Sequence, residues 1–368
     1  MQQNYDNSGF DREKILFAAA NSGDGFKSFY SEIFDREEIE RRYLIKGGPG
    51  TGKSTFMRSI AKKAQDAGLS VEYYACSSDP SSLDAVVIEG RVAVLDATSP
   101  HCVEPELAGA RDEIVNLGAF WDSEGLREEL ERIDLLSGKK KECYKGAYRF
   151  LSAALEVEKR CREIAAPYIN EGKMRAAVRR IASRIPNGNG YSLRIGIRDS
   201  IGMKGRASTA AYESVAREVY YVVDAYKSGS LLLAMLVNEA MAKKNRIQVS
   251  FSPLDPSYPD AVLFEESMTA FILCEDKREG GKYINMKRFV HMRGEDVKAV
   301  RGEYKANVRI MQGLIQSAAD ALAMAGEKHF ELEDIYKRYM DFDALGRYTA
   351  SFAENLTERL LREKACTY

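Results

Sequence analysis

The sequence predicts an α/β protein made of two tandem, three-layer α/β/α domains with mainly parallel sheets and helical connections. Two observations predict this class. A glycine-rich segment lies between a short apolar strand and an amphipathic helix, and part of this arrangement recurs in the second half of the chain. The length of 368 residues allows two or three domains of ordinary size.

Composition and charge restrict the classes of function. Lys plus Arg number 54 and Asp plus Glu number 55, and this balance argues against a broad nucleic-acid-binding surface. The longest apolar run, 231–237, is too short to cross a bilayer, and the polar residues 1–7 do not resemble a signal peptide. Because the six cysteines are scattered and histidines number only three, we expect reduced thiols, no zinc site and a cytoplasmic protein without a membrane partner.

The glycine-rich segment fits a phosphate-binding loop. In residues 47–54 (GGPGTGKS), a glycine, four further residues and then Gly-Lys-Ser match the P-loop pattern. Glycines allow positive φ, so that consecutive backbone N–H groups can point at phosphate oxygens. We expect Lys53 to reach the β- and γ-phosphates and the Ser54 hydroxyl to coordinate Mg²⁺. The predicted nucleotide-binding residues are Gly48, Pro49, Gly50, Thr51, Gly52, Lys53, Ser54 and Thr55.

The residues on either side of this segment support the same interpretation. Residues 43–45 form a short apolar strand before it, and apolar residues recur at helical spacing after it, as far as Gly68. A strand, a glycine loop and a helix whose N-terminus faces the anion is the arrangement that phosphate binding requires.

Two more predicted strands follow the helix. Residues 70–76 are rich in β-branched and aromatic residues, and the apolar residues 91–95 end at Asp96. An aspartate at such a strand end can hold Mg²⁺ in a P-loop site, so we predict that Asp96 is a metal ligand and a catalytic residue. No glutamate follows Asp96, which argues against the motor-type ATPases that place a water-activating glutamate there.

Two residues are candidates for proton transfer. His101 lies where strand ends open into ligand crevices, and either accepts a proton, senses the γ-phosphate or locks the loop by a hydrogen bond. Asp79 follows the second strand and is a candidate base, although Asp-Pro-Ser also favours a turn in which Asp79 bonds its own backbone.

Part of the first half recurs later in the chain. Residues 79–88 (DPSSLDAVVI) match residues 255–264 (DPSYPDAVLF) in register, and a similar strand precedes each segment. Upstream, 220–223 takes the place of 43–45, but residues 227–230 (KSGS) lack most of the glycines and the lysine of a P-loop. We therefore predict a second domain that does not bind phosphate and is structural, regulatory or partner-binding.

The second copy also indicates what the two aspartates of the repeated segment do. Asp79 and Asp84 persist there as Asp255 and Asp260. Carboxylates that remain where the phosphate site is lost are explained most simply by turn geometry, so a structural role for Asp79 ranks before a catalytic one.

The remaining residues are largely helical by pattern. The predicted domains are 1–140 with the intact loop, a helical connector over 141–176, and 177–368 with the degenerate loop and the C-terminal helices. Lysines 139–141 are interpreted as a solvated helix face. His329 and Glu333 lie one helical turn apart, for which a surface ion pair is a simpler explanation than a metal site.

The chain resembles a bacterial family of tandem P-loop proteins that are labelled as ATP-binding proteins, ATPases or nucleotide kinases. Six segments carry the resemblance: 25–30 (GFKSFY), 46–55 (KGGPGTGKST), 76–84 (CSSDPSSLD), 96–101 (DATSPH), 116–121 (NLGAFW) and 329–342 (HFELEDIYKRYMDF). The resemblance implies P-loop NTPase-like domains that bind ATP and Mg²⁺, with adenine preferred over guanine. Family members often carry Asp-Gly-Thr at 96–98 and a second recognisable P-loop, and this chain departs from both features.

Three functions are compatible with these residues. The first is a Mg²⁺-dependent ATPase, the second is a kinase that transfers the γ-phosphate to a small molecule such as a nucleoside or nucleotide, and the third is a nucleotide-gated binding module or scaffold without significant turnover. The expected partners are ATP and a small molecule or protein that the residues do not identify.

Overall fold

The computed structural model describes residues 15–276, 278–292 and 296–366. The chain forms two compact units. Among the described residues, one unit comprises residues 30–145 and 321–366 and is called the glycine-loop unit; the other comprises residues 15–29 and those described within 146–320 and is called the central unit. Residues 1–7, on which the expectation about a signal peptide rests, lie outside the described residues.

The regular elements alternate along the chain as expected for an α/β protein. The strands are β1 (Ile15–Phe17), β2 (Ala19–Ser22), β3 (Gly25–Ser28), β4 (Arg41–Lys46), β5 (Val71–Ala75), β6 (Leu83–Ile88), β7 (Val92–Asp96), β8 (Asp112–Asn116), β9 (Ser192–Ile195), β10 (Asp199–Gly202), β11 (Gly205–Ser208), β12 (Glu218–Val223), β13 (Arg246–Phe251), β14 (Pro259–Phe264), β15 (Thr269–Cys274) and β16 (Lys282–Asn285). The α-helices are α1 (Tyr30–Phe34), α2 (Lys53–Asp66), α3 (Ser123–Glu128), α4 (Leu130–Ala165), α5 (Glu171–Ala182), α6 (Ala211–Val215), α7 (Gly229–Ala242), α8 (Asp296–Arg338) and α9 (Phe342–Cys366).

The sheet of the glycine-loop unit is mixed. Its strands lie in the order β5-β6-β7-β4-β8, with β4 parallel to β7 and β8, and β6 antiparallel to β5 and β7. The sequence analysis did not identify β6 as a strand, although it is buried at every position. The short connections on either side of β6 suit antiparallel pairing, because a parallel crossover needs a dozen or more residues.

The central unit repeats this sheet. Its strands lie in the order β16-β12-β15-β14-β13-β9, with β12 parallel to β15 and β16, and β14 antiparallel to β13 and β15. The order β13-β14-β15-β12-β16 is therefore the order β5-β6-β7-β4-β8 over again. The repeat that 79–88 and 255–264 indicate thus extends over five strands of each sheet.

The helix that follows each repeat belongs to the compact unit of the other repeat. Helix α5 follows the first repeat and packs on α7, whereas α9 follows the second repeat and packs on α2. The chain therefore divides differently from the predicted domains 1–140, 141–176 and 177–368, because residues 321–366 lie in the glycine-loop unit. The physical reason is burial of an apolar face: Leu345, Ala353, Leu356 and Leu360 of α9 are buried.

Aromatic contacts hold α9 on α2. The ring of Phe56 on α2 lies 5.1 Å from that of Phe352 and 6.1 Å from that of Tyr348, both on α9. Among the described residues, no helix is both long and apolar enough to cross a membrane.

Candidate functional site

The glycine-rich loop joins β4 to α2 in the glycine-loop unit. Gly50 and Gly52 have φ values of 68° and 82°, which L-residues with side chains rarely adopt. Gly52 is the N-cap of α2, and within the part of the chain that the structure describes no side chain caps this helix. The predicted residues 48–55 therefore form a loop and a helix N-terminus that favour an anion.

Lys53 and Asp96 lie together at the start of α2. The parallel pairing of β4 and β7 places Ile45 opposite Asp96, so that both strands end at the same edge of the sheet. The Lys53 Nζ lies 3.6 Å from the Asp96 Oδ2, and both side chains are mostly buried. Lys53 also donates to the carbonyl oxygens of Gly47 (3.3 Å) and Gly48 (2.8 Å), so its charge points into the loop.

The two predicted metal ligands have defined partners. The Ser54 Oγ accepts a hydrogen bond from the Leu83 N–H at 2.9 Å. The Asp96 Oδ1 accepts from the N–H of Thr98 (2.9 Å) and from its hydroxyl (2.5 Å), whereas Oδ2 faces Lys53. Within residues 15–276, 278–292 and 296–366, no three His, Cys, Asp or Glu side chains form a group that could hold a metal ion.

His101 has a close structural partner. Its Nε2 lies 3.2 Å from the Asp84 Oδ2, and both side chains are buried. Its ring stacks on that of Tyr30, with centroids 4.2 Å apart. This geometry favours the loop-locking alternative for His101 over proton acceptance or γ-phosphate sensing.

Asp79 forms a turn. Its Oδ1 accepts from the N–H (3.1 Å) and the hydroxyl (2.6 Å) of Ser81, and its Oδ2 accepts from the Ser82 hydroxyl at 3.2 Å. Local bonding of this kind is typical of Asp in a turn. It favours the structural role of Asp79 over the role of a base.

The C-terminal helices cover the glycine-rich loop. A Cβ added to Gly48 would lie 2.8 Å from the Tyr336 ring, and a Cβ added to Gly50 would lie 2.6 Å from the Glu333 carbonyl oxygen. A Cβ added to Gly52 would lie 3.1 Å from Leu345 on α9. The loop glycines therefore also allow α8 and α9 to approach closely, a role that local sequence does not reveal.

Glu333 is an ion-paired residue on α8. Its carboxylate lies 3.4 Å from the His329 Nε2 and 2.9 Å from the Lys337 Nζ. The hydrogen bond with His329, reinforced by that with Lys337, lowers the pKa of Glu333 to about 2 although burial opposes this shift. The predicted proximity of His329 and Glu333 on one face of a helix is confirmed.

Lys140 is a second cation near the loop, and the sequence analysis missed it. Lys139 and Lys141 are exposed, as a solvated helix face requires, but Lys140 is half-buried. Burial and the positive charge of Lys53 lower the pKa of Lys140. The interpretation of 139–141 as a solvated face is therefore wrong for Lys140.

The spacing along α4 explains where Lys140 lies. Leu136, one turn earlier, packs with Leu332 and Ile335 of α8. One turn later, the Tyr144 hydroxyl lies 3.4 Å from the Ser78 Oγ. Because residues four apart share a helix face, Leu136 and Tyr144 direct Lys140 towards the loop. The spacing of Leu136, Lys140 and Tyr144 at i, i+4 and i+8 was the sequence pattern that could have predicted this position of Lys140.

The equivalent loop of the central unit carries its own anion. The Asp224 Oδ1 accepts from the Gly229 N–H at the start of α7 at 2.8 Å, and burial raises the pKa of Asp224. The Lys227 Nζ lies 3.2 Å from the buried Glu158 Oε2. These contacts support the prediction that residues 227–230 do not bind phosphate.

Comparison with known proteins identifies no relative: no family model matches the chain, and neither a curated protein nor a solved structure matches it. The resemblance to tandem P-loop proteins stays a prediction, and function has to be inferred from the residues of the site.

Proposed function

We propose that the glycine-loop unit binds ATP with Mg²⁺ and hydrolyses it slowly. One observation carries the proposal: α2 begins after left-handed Gly52 without a side-chain cap, and Lys53 in its first turn lies 3.6 Å from Asp96. Helix N–H groups and a lysine at one point suit the phosphates of a nucleotide. This is the site of a P-loop NTPase-like fold.

The donor set fits Mg²⁺ bound with a nucleotide. Ser54 offers a hydroxyl and Asp96 a carboxylate, and Mg²⁺ prefers oxygen ligands that include substrate phosphates. These two residues would hold the ion, and the ion would neutralise negative charge on the phosphates. Lys53 now donates to two neutral carbonyl groups, and charged phosphate oxygens are stronger acceptors for it.

Slow turnover follows from the partners of the candidate bases. His101 is held by Asp84 and Tyr30, and Asp79 is held within its own turn. The proposed rate acceleration therefore comes from charge stabilisation by Lys53 and the metal rather than from a dedicated base. The water oxygen attacks the γ-phosphorus, the bond from that phosphorus to the β–γ bridging oxygen breaks, and the water's proton passes to a phosphate oxygen, so that ADP and inorganic phosphate are the products.

A nucleotide-gated binding module is the second candidate. The observation that favours it is the contact of α8 and α9 with Gly48, Gly50 and Gly52. If α8 and α9 take two positions relative to the loop, a bound phosphate chain would contact them differently in each position. A ligand that contacts two states differently shifts the population between them.

Three measurements on one purified sample test the proposal: calorimetric titration with Mg–ATP, release of inorganic phosphate, and phosphate transfer to a panel of nucleosides, nucleotides and other metabolites. Binding with phosphate release that needs no acceptor supports the ATPase. ADP formed only with an acceptor would indicate a kinase, and binding without either reaction would indicate the gated module. Absence of Mg–ATP binding would reject the site.

A further inference from the structure

A cavity of about 290 Å³ adjoins the first turn of α2 in the glycine-loop unit. Gly52, Thr55 and Phe56 form its wall on α2, and Phe342 and Gly346 form part of its wall on α9. We infer that this cavity receives the aromatic base of the bound nucleotide, so that α9 determines affinity for the nucleoside part. The inference rests on the proposed function and goes beyond it by assigning the base site.

Position supports this assignment. Gly52 and Thr55 belong both to the anion-binding helix N-terminus and to the cavity wall. A phosphate chain on the first turn of α2 therefore has the cavity beside it, and the group attached to the chain can enter without crossing the loop. A volume near 300 Å³ is at the lower end of ligand sites and suits a nucleoside rather than a larger molecule.

The lining suits an aromatic ring. It includes two phenylalanines and has no charged side chain. Phe56 is buried, whereas Phe342 is 46% exposed at the start of α9. An exposed aromatic ring at a cavity can stack on any nucleobase, because every base has a π-face.

Hydroxyl groups in the lining suit an exocyclic amino group. The Ser59 hydroxyl donates to the Thr55 carbonyl at 3.0 Å, and the Thr349 hydroxyl donates to the Leu345 carbonyl at 2.8 Å. Each oxygen keeps acceptor capacity after donating its proton. These oxygens can accept hydrogen bonds from the amino group of adenine, and the phenylalanines supply apolar contact.

Gly346 allows a direct test. A Cβ added to it would meet no atom within 4 Å, and the residue lies inside a helix, where a larger side chain is compatible with the backbone. Gly346→Leu would occupy the space beside the cavity wall. Gly313→Leu is the matched control, because Gly313 is an exposed glycine inside α8 that also has no atom within 4 Å of an added Cβ.

The experiment is calorimetric titration of the full chain with Mg–ATP and, separately, with Mg–tripolyphosphate, which has the phosphates but no base. We expect wild type to bind ATP roughly 10- to 100-fold more tightly than tripolyphosphate, the size of a base-stacking contribution. Gly346→Leu should remove that difference and leave tripolyphosphate affinity unchanged. Gly313→Leu should bind both ligands like wild type.

Other results separate this inference from the proposed function. Tripolyphosphate binding with no added affinity for ATP, or full ATP affinity in Gly346→Leu, would overturn the base site and leave the phosphate site standing. Absence of binding of both ligands to wild type would overturn both proposals. Phe342→Ala provides a second variant should Gly346→Leu not fold, and unchanged ATP affinity in it would also contradict the inference.

Discussion

The loops before α2 and α7 occupy the same place in two equivalent sheets but satisfy their helix N-termini in different ways. Before α2, Gly52 leaves the N–H groups without a side-chain cap, and Lys53 lies beside Asp96. Before α7, the Asp224 carboxylate accepts from the Gly229 N–H. The comparison teaches that loops at equivalent places in two similar sheets can differ in backbone conformation and in whether a side chain of the loop bonds to the helix N-terminus.

The strands that lie beside the two loops, β7 and β15, also carry different residues at equivalent positions. Strand pairing places Asp96 opposite Ile45 in the glycine-loop unit and Leu273 opposite Val222 in the central unit. The second site therefore has an apolar residue where the first has a carboxylate. The second site lacks the lysine and the carboxylate of the first, and the N-terminus of its helix bonds to Asp224. For these reasons we assign nucleotide to the glycine-loop unit alone.

The two loop lysines provide the strongest test of this comparison. Lys53→Ala should lower Mg–ATP affinity roughly 100-fold, because the variant lacks the charged donor to the phosphates. It should also lower the free energy of unfolding, because the mostly buried Asp96 loses its cation. Lys227→Ala should keep the affinity and lower the free energy of unfolding by about 2 kcal/mol, because the buried Glu158 loses one of its cations. Calorimetry and urea unfolding measure both quantities. Equal losses of affinity in the two variants would contradict the comparison.

Asp260, a buried aspartate of the repeated segment in the central unit, should make the stability of that unit depend on pH. Burial, with the nearby charge of Asp199, raises the pKa of Asp260 to about 7 although Arg198 opposes the shift. An unfolded aspartate has a pKa of about 3.9, so the folded state holds a proton that the unfolded state has lost. Stability of the central unit should therefore fall by up to about 1.4 kcal/mol per pH unit as pH rises from about 4 to 7.

Asp260→Asn is the variant for this measurement, since the amide keeps the shape of the side chain and does not titrate. Urea unfolding across that pH range should show a flatter profile in the variant than in wild type. An identical slope in both proteins would show that other groups cause the pH dependence. Asp84, the equivalent residue in the other repeat, is paired with His101 instead.

Removal of the carboxylate at the end of β7 should have a smaller effect on nucleotide binding than removal of Lys53. Asp96→Asn should raise roughly 10-fold the Mg²⁺ concentration that is needed for half-maximal ATP binding, because a charged carboxylate ligand is replaced by a neutral amide. The control is Asp66→Asn on the exposed end of α2, where the carboxylate pairs only with Lys62 among the described contacts. A metal titration that is unchanged in Asp96→Asn would reject its role as a ligand.

Lys140 should contribute least of the residues near the loop. Lys140→Gln should lower ATP affinity about fivefold, which corresponds to about 1 kcal/mol for a partly exposed charge. Lys139→Gln, the exposed neighbour on another face of α4, should bind ATP like wild type. Calorimetry at low and moderate salt would show the difference, and equal affinities in the two variants would exclude Lys140 from the site.

Much of the site could be predicted from neighbouring residues. The glycine spacing, the strand before it and the helix after it are local patterns, and the structure places residues 48–52 between β4 and α2 and residues 53–55 in the first turn of α2. Asp96 could be predicted because β7 is a continuous apolar run that ends at a carboxylate. The pairing of β4 with β7 then brings it to Lys53, as parallel strands require.

Tertiary structure alone decided which parts of the chain surround the loop. Tyr336 and Leu345 lie far from the loop in sequence, yet both approach it. Leu345 does so because the apolar face of α9 is buried against α2, and Tyr336 because Leu332 and Ile335 of α8 pack with Leu136 of α4. Local patterns establish that a helix is amphipathic but not which surface covers its apolar face. The amino-acid order therefore defined the glycine-rich loop and the elements on either side of it, whereas long-range packing defined the two discontinuous units, the position of Lys140 and the cavity beside Thr55.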